Sequence, residues 1–308
     1  MTPTHSFQSR FFFWASDRFP FFNAIVAFTM AFSIKGLYRT EGRFSWQVED
    51  FLLGLVFLTH LFILRVMDEF KDFESDKIFH PTRAVQKGII TLPELKKLGI
   101  AAAIIQLGSI GVLAKQYAAV FIVWLFVWVW SFLMMKEFFI KEFLRKKLLL
   151  YSALHLLVSP FMFLTGWVYY SSLQGEFDYF KLVLLLTLSF STGLMFEFAR
   201  KNRSVEEDKK GEISFSLIWG RSHTAIVIFL VTLIALFMGY LYLDISNTNV
   251  MTYLPVAVLT LAYSMSCMKK FIAEPTEKNH KKARASVELN VVWSFLGSFL
   301  IVLLSSYL

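Results

Sequence analysis

Nine stretches of the chain are apolar over the roughly 17–25 residues that a membrane-spanning helix needs. They run near Phe21–Leu37, Phe51–Met67, Leu98–Ala114, Ala118–Met135, Leu148–Tyr170, Leu182–Phe198, His223–Tyr242, Met251–Met268 and Leu289–Leu308. Short polar segments separate them. Only Lys115-Gln116-Tyr117 joins the third to the fourth, which predicts a helical hairpin. The fifth carries His155 and Pro160. Phe11-Phe12-Phe13-Trp14 precedes the first span and reads as an interfacial aromatic patch. Arg10, Asp17 and Arg18 break the early apolar run and no small-residue cleavage site follows, so the N-terminus does not read as a cleavable signal peptide. The pattern predicts one all-α, polytopic membrane domain over residues 1–308.

Composition sharpens this reading. Of 308 residues 56% are apolar and 18% charged, against about 25% charged in an average soluble protein. Phe occurs 35 times and mean hydropathy is +0.56. A soluble domain cannot hide that much apolar surface, so disordered chains, collagen-like chains and most soluble enzymes are excluded. The single cysteine, Cys267, excludes an internal disulfide and gives no metal-site spacing. A net charge of +8 can point to nucleic acid, but in so apolar a chain it is better explained by basic cytoplasmic loops, and no nucleic-acid partner is expected. The N-terminal tail, the end of span two at Arg65 and the loops after spans two, four, six and eight hold 26 of the 31 Lys and Arg residues. The positive-inside rule then puts the N-terminus and those loops in the cytoplasm and, with nine spans, the C-terminus outside. The two most acidic loops, after spans two and six, fall on one side of the membrane.

The first of these reads Asp68-Glu69-x-x-Asp72-x-x-x-Asp76. If the helix continues, Asp68, Asp72 and Asp76 share a face and Glu69 lies beside Asp72. Like charges at that spacing repel unless cations intervene. Mg²⁺ prefers oxygen ligands and is usually held by one or two carboxylates plus substrate phosphates. With Lys77, Arg83 and Lys87 nearby, the cluster suggests a Mg²⁺–diphosphate site. From spacing alone a solvated loop of mixed charge fits as well.

The longer pattern is more specific. Asp68-Glu69-x-x-Asp72-x-x-x-Asp76-x-x-x-His80-Pro81-x-Arg83-x-x-x-x-Gly88 resembles the first acidic signature of the UbiA-type intramembrane prenyltransferases, N-D-x-x-D-x-x-x-D followed by H-P-x-R and a later Gly. Asp68 stands where the family usually has Asn, and Glu69 where it has Asp. The resemblance implies nine transmembrane helices around a central cavity, with acidic motifs after helices two and six. It also implies Mg²⁺ as cofactor, held by Asp68, Glu69, Asp72 and Asp76, with Arg83 on the diphosphate.

The second motif departs from the family. Gly211, Ser214 and Gly220 fit its frame, and Glu207 stands at a family Asp position. Arg203 occupies the preceding Asp position, so that ligand is missing. Glu197, at the end of an apolar helix, is the candidate replacement, because intramembrane acids are costly and functional by default. Arg200, Lys201 and Arg203 then read as diphosphate contacts, and Arg suits bidentate phosphate binding. Plain cytoplasmic anchoring is the competing explanation. Glu206 and Asp208 are expected to be solvated. Lys141 matches the Lys of a family Tyr-x-x-x-Lys pattern, with Glu137 at the Tyr position and Lys136 and Arg145 as rivals. His60 and His155 are expected to make helix-packing hydrogen bonds. There is no P-loop, no Ser–His–Asp spacing and no His/Cys cluster in the sequence.

The resemblance implies Mg²⁺-dependent transfer of a prenyl group from an isoprenoid diphosphate to an aromatic or lipid/isoprenoid acceptor. Asp72, Asp76, Glu197 and Glu207 are the expected catalytic carboxylates, with Glu197 and Glu207 expected to hold Mg²⁺ from the side of the second motif, in the inner membrane of the cell. The partners are a prenyl diphosphate, a hydrophobic acceptor and membrane lipid. The alternative is a non-catalytic membrane transporter or scaffold that keeps the fold, and the Asp missing at Arg203 is its best support.

Overall fold

The computed structural model describes residues 6–38 and 45–307. Arg39, Arg43 and the Leu308 that closes the ninth expected span lie outside the described residues. Among the described residues there is helix and no strand. Among the described residues, eight helices or helix pairs are long and apolar enough to cross a membrane. A further pair, α1 (Phe7–Arg18) and α2 (Phe22–Leu37), is bent by 61° and counts as a ninth crossing if taken as one span.

The chain divides into two compact units. The first comprises residues 1–31 and 47–139. It contains α1, α3 (Val48–Lys71), the short α4 (Phe73–Phe79), α5 (Leu92–Ala114) and α6 (Ala118–Met135). Helix α3 starts on a capping box between Gln47 and Asp50, and α5 on one between Thr91 and Glu94 with Pro93 in its first turn. These boxes satisfy amide groups that a helix start leaves open. Helix α3 packs along α5, and α5 and α6 form the expected hairpin across Lys115–Tyr117. His60 of α3 reaches Ser131 of α6 at 2.9 Å, the packing hydrogen bond expected of it. Gln106 of α5 donates to the Val56 carbonyl at 2.9 Å and accepts from the Trp128 indole at 2.8 Å.

The second unit comprises residues 32–46 and 140–308. Helix α7 (Lys141–Arg145) is followed by α8 (Leu148–Leu156) and α9 (Val158–Gln174), which together make the fifth expected span. The break near Leu157 has a cause: Pro160 has no N–H to give the Leu156 carbonyl. His155 bonds to the Tyr151 carbonyl in its own helix, at 2.8 Å, rather than across helices. Then come α10 (Tyr179–Arg200), the short α11 (Val205–Asp208) and α12 (Phe215–Trp219), α13 (Arg221–Ile245), α14 (Leu254–Ala273), α15 (Glu277–Val292) and, after a wider-wound turn at Trp293–Gly297, α16 (Ser298–Ser305). Helix α10 packs on α13 and α14 on α15. Phe198, Phe215, Phe271 and Val287 are buried together at one end of this unit. That core fixes the end of α10 against the segment that follows it.

Candidate active site

The first acidic motif sits where α3 gives way to α4. The helix stops formally at Lys71, and Asp72 both ends α3 and begins α4. Yet the amides of Asp72, Asp76 and His80 each donate to the carbonyl four residues back, all at 2.8 Å. The helical register of Asp68, Asp72 and Asp76 therefore survives the bend. His80-Pro81 then turns the chain, and Gly88 takes φ +67° so that Ile89 can return its amide to the Ala84 carbonyl at 2.9 Å. The turn buries Ala84, Val85, Ile89 and Ile90 against Trp14, Val66 and Leu95. Arg83 comes back onto Asp76 at 2.5 Å.

Glu69 does not share the acidic face. It is 1% exposed, and one oxygen accepts from the Trp14 indole at 3.2 Å and from Arg18 at 2.5 Å. The reason is helical phase: Glu69 turns toward the aromatic cluster of α1, while Asp68 and Asp72 stay 39% and 38% exposed. Lys71 reaches Asp68 at 3.3 Å and Asp72 only at 3.9 Å. Arg65 also lies 3.7 Å from Asp68. Burial first, then Asp68, Asp76 and Glu137, raises the Asp72 carboxyl to about 6 against the pull of Lys71. Glu137 enters from the turn after α6, where Glu137, Phe138 and Phe139 all adopt left-handed φ of 47–58°. It is itself buried.

A hard, oxygen-seeking divalent cation suits this donor set and would relieve its repulsion. Among the described residues no three His, Cys, Asp or Glu side chains converge closely enough to form a cage by themselves. The carboxylates therefore fit a Mg²⁺ that shares its coordination with a phosphate ligand and water, not one enclosed by protein.

The second motif has the opposite character, because its acids are paired within the unit. Glu197 receives Lys201 at 2.7 Å and Ser152 at 3.1 Å on one oxygen, and Arg200 at 2.7 Å on the other. Lys201 also lies 5.4 Å from the centre of the Tyr151 ring, and burial lowers its ammonium pKa despite Glu197. Arg203 pairs with Glu212, while its amide donates to Ser216 at 3.0 Å. Glu207 closes a capping box with Ser204 and meets His280 of α15 at 2.7 Å. Burial opposes its ionisation, but the His280 and Ser204 hydrogen bonds prevail and hold the carboxyl down at about 2. The other ring nitrogen of His280 faces the Ala199 carbonyl at 3.2 Å.

Asp208 departs from its expected solvated state. Its side chain is 6% exposed and accepts from Ser214 at 2.6 Å, Ser216 at 3.0 Å and Arg221. Arg221 in turn donates to the Arg203 carbonyl at 2.9 Å. Gly211 and Gly220, both at positive φ, permit the turns that bring these groups together. Glu206 is exposed, as expected. Sequence reasoning missed Asp208, Arg221, Glu212 and His280. The Ser-x-Ser of 214–216 before Gly220 was the available signal for a buried acceptor. Nothing in the sequence pointed to His280, which sits 73 positions beyond Glu207. Lys141 opens α7 and is exposed, Lys136 lies 6.0 Å from the Phe132 ring, and Arg145 pairs loosely with Glu142 at 3.7 Å.

The class that this fold and these motifs define is that of the intramembrane prenyltransferases. The family model of the UbiA prenyltransferase family matches residues 25–296, and the chain belongs to that family. A structure from work on digeranylgeranylglyceryl phosphate synthase in membranes is 16% identical, covers 96% of this chain and 99% of its own, and superposes with a TM-score of 0.61. The apo structure of a UbiA homolog from Aeropyrum pernix K1 is 13% identical, covers 90% of this chain and 97% of its own, with a TM-score of 0.60. At these identities the likeness is one of fold. A search of curated protein sequences finds no match. The protein is thus an all-α, polytopic membrane protein with the UbiA-like fold.

Proposed function

We propose that the chain carries out Mg²⁺-dependent transfer of a prenyl group from an isoprenoid diphosphate to an aromatic or lipid acceptor within the membrane. The observation that carries this reading is the helical register of Asp68, Asp72 and Asp76, preserved across Asp72, whose carboxyl is pushed up by burial and by its acidic neighbours. Asp68 and Asp72, the two open carboxylates of the run, would hold Mg²⁺ together with the diphosphate, with Asp76 behind them on Arg83. When bound, the ion supplies charge neutralisation of the diphosphate leaving group. Arg83 orients Asp76 and is the proposed diphosphate contact of this motif. Glu69 acts through Trp14 and Arg18, setting the phase of α3 so that its neighbours face outward.

Arg200, Lys201 and Arg203, with Lys141, are the proposed diphosphate contacts. Glu197, with both oxygens engaged, orients Arg200 and Lys201, and Glu207 fixes the turn of α11 through Ser204 and His280. To ligate Mg²⁺, either acid would have to exchange these contacts. The bond that breaks joins the allylic carbon to the diphosphate oxygen, and charge builds on that oxygen. Fixed cations there stabilise the departing group more than the ground state. The nucleophile of the acceptor then bonds to the allylic carbon and loses its proton. The N-terminus and the basic loops are proposed to face the cytoplasm, with the chain in the inner membrane of the cell.

The internal pairing of the second motif is what favours the alternative, a non-catalytic transporter or scaffold. Incubating purified protein with radiolabelled prenyl diphosphates of several lengths, Mg²⁺ and a lipid extract separates the two. Mg²⁺-dependent release of diphosphate with label moving into an apolar product supports transfer. Binding without turnover across all lengths supports the alternative.

A further inference from the structure

The second unit has a groove of about 290 Å³ that none of the chemistry above uses. It runs between α13 and α14 with Val287 of α15 at its base. Its walls are mainly apolar, with Ile228 and Phe229 on α13 and Leu261, Met265 and Met268 on α14, and the hydroxyls of Thr232 and Ser264 donate to carbonyls of their own helices. Methionine is flexible and polarizable, suited to an irregular hydrocarbon chain. From Ser222 to Thr232 the α13 wall rises about 15 Å at 1.5 Å per residue, half of the roughly 30 Å hydrocarbon core. The groove is therefore one leaflet deep. Ile226 and Met265 on its rim are exposed, so it opens along its length to the surroundings of the helices, which in a membrane are lipid.

One end is polar. Ser222, in the first turn of α13, and Lys269, near the end of α14, line it. Lys269 is exposed and makes no ion pair among the described residues. Gly220 caps α13 without a side chain, so the first amides of that helix, with their partial positive charge, lie at the same end. No acidic side chain lines the groove. One lysine, a hydroxyl and a helix start match the single negative charge of a phosphodiester. A diphosphate carries more charge than this and would need a metal, for which the groove offers no ligand.

We propose that this groove binds one acyl chain of an anionic phospholipid, with the phosphate on Lys269, Ser222 and the first turn of α13. It is a lipid site separate from both acidic motifs, and it does not depend on the chemistry they perform.

The test titrates the purified full-length chain with phosphatidylglycerol and with phosphatidylcholine, reading bound lipid by native mass spectrometry. Phosphatidylglycerol is expected to bind about fivefold or more tightly, the scale of one lysine–anionic lipid contact. Lys269→Glu should remove that preference and leave phosphatidylcholine binding unchanged. Ala225→Trp, which fills the groove, should lower occupancy by both. Lys269 is exposed, so its substitution keeps the test valid even if Ala225→Trp fails to fold. Equal affinity for the two lipids, or an unchanged preference in Lys269→Glu, overturns the proposal. So does displacement of phosphatidylglycerol by an equimolar prenyl diphosphate in the absence of Mg²⁺, which would make the groove an isoprenoid site.

Discussion

Glu69 and Asp72 are three residues apart in the same acidic run, yet the structure gives them opposite consequences when neutralised. Glu69→Gln keeps the shape of the side chain and removes its charge. The Arg18 guanidinium, whose side chain is 10% exposed, is then left without its counter-ion in a nearly closed site. Breaking a buried pair from one side typically costs about 3–5 kcal/mol. Arg18 retains some access to solvent and the new amide oxygen can still accept from Trp14, so the lower end applies, about 3 kcal/mol. That corresponds to a fall in Tm of roughly 5 °C or more for a domain of this size. Asp72→Asn acts the other way. The raised Asp72 pKa of about 6 means that its charged form is disfavoured in the folded state. Its contribution to stability is present below the ordinary carboxylate pKa and is lost as pH rises through about 6. Amidation at pH 7 removes that cost. With the side chain 38% exposed, screening limits the gain to about 1 kcal/mol or less. Asp72→Asn is therefore expected to unfold no earlier than the parent but to need more Mg²⁺ for turnover. Glu69→Gln should melt early and keep the parent's Mg²⁺ requirement at low temperature. The assay is thermal unfolding followed by tryptophan fluorescence, paired with Mg²⁺ titration of activity. A Glu69→Gln variant with unchanged Tm and a raised Mg²⁺ requirement would refute the reasoning and return Glu69 to the metal site.

Four further outcomes are expected. Arg203→Asp opposes Glu212 and should weaken diphosphate binding about 30-fold or more, as loss of a desolvated charge contact does; unchanged affinity by calorimetry would make the Arg203–Glu212 pair structural only. Glu207 is held at about 2, so the stability it contributes over Glu207→Gln should be full above about pH 4.5 and close as pH falls toward 2; a gap that persists in acid unfolding curves at pH 2 would contradict this. Gly88→Ala has no steric obstacle but forces a left-handed residue, so a loss of about 1–2 kcal/mol is expected, visible as a lower Tm. Reporter fusions after Lys87, Lys141 and Lys209 should report the cytoplasm and a C-terminal fusion the outside; a cytoplasmic C-terminus would overturn the nine-span topology.

Hydropathy located the spans because lipid burial demands unbroken apolar length. The fourth, Ala118–Met135, agrees at both ends, and most others are extended by a few polar residues that continue the helix into the interface. The ninth fails most. Its helical segment begins at Glu277, twelve residues before Leu289, because α15 is polar in composition yet capped by Thr276 and buried along the face bearing His280, Ala283, Val287 and Asn290. Hydropathy measures contact with lipid, and that face contacts protein. The same gap explains the site. Spacing placed Asp68, Asp72 and Asp76 in register because they belong to one continuous helical path. It misplaced Glu69, whose partners Trp14 and Arg18 lie more than fifty positions upstream. It also read Asp208 as solvated, because Ser214, Ser216 and Arg221 reach it only after the chain has turned at Gly211 and Gly220.

The contacts of α1 bear on how the first motif is assembled during synthesis. Trp14 and Arg18 wait for Glu69, 55 and 51 residues later, and Arg10 waits for Glu94, 84 residues later. Until α3 and the start of α5 have left the ribosome, these three side chains lack the carboxylates that receive them. The Phe and Arg side chains of α1 suit a resting place at the membrane interface during that interval. The acidic run can take its final orientation once Glu69 of α3 has emerged to receive Trp14 and Arg18, and the Arg10–Glu94 pair then ties α1 to α5. Shortening the chain past Arg10 is predicted to lower the Tm by removing the Arg10–Glu94 tie, while Trp14 still packs on Leu95.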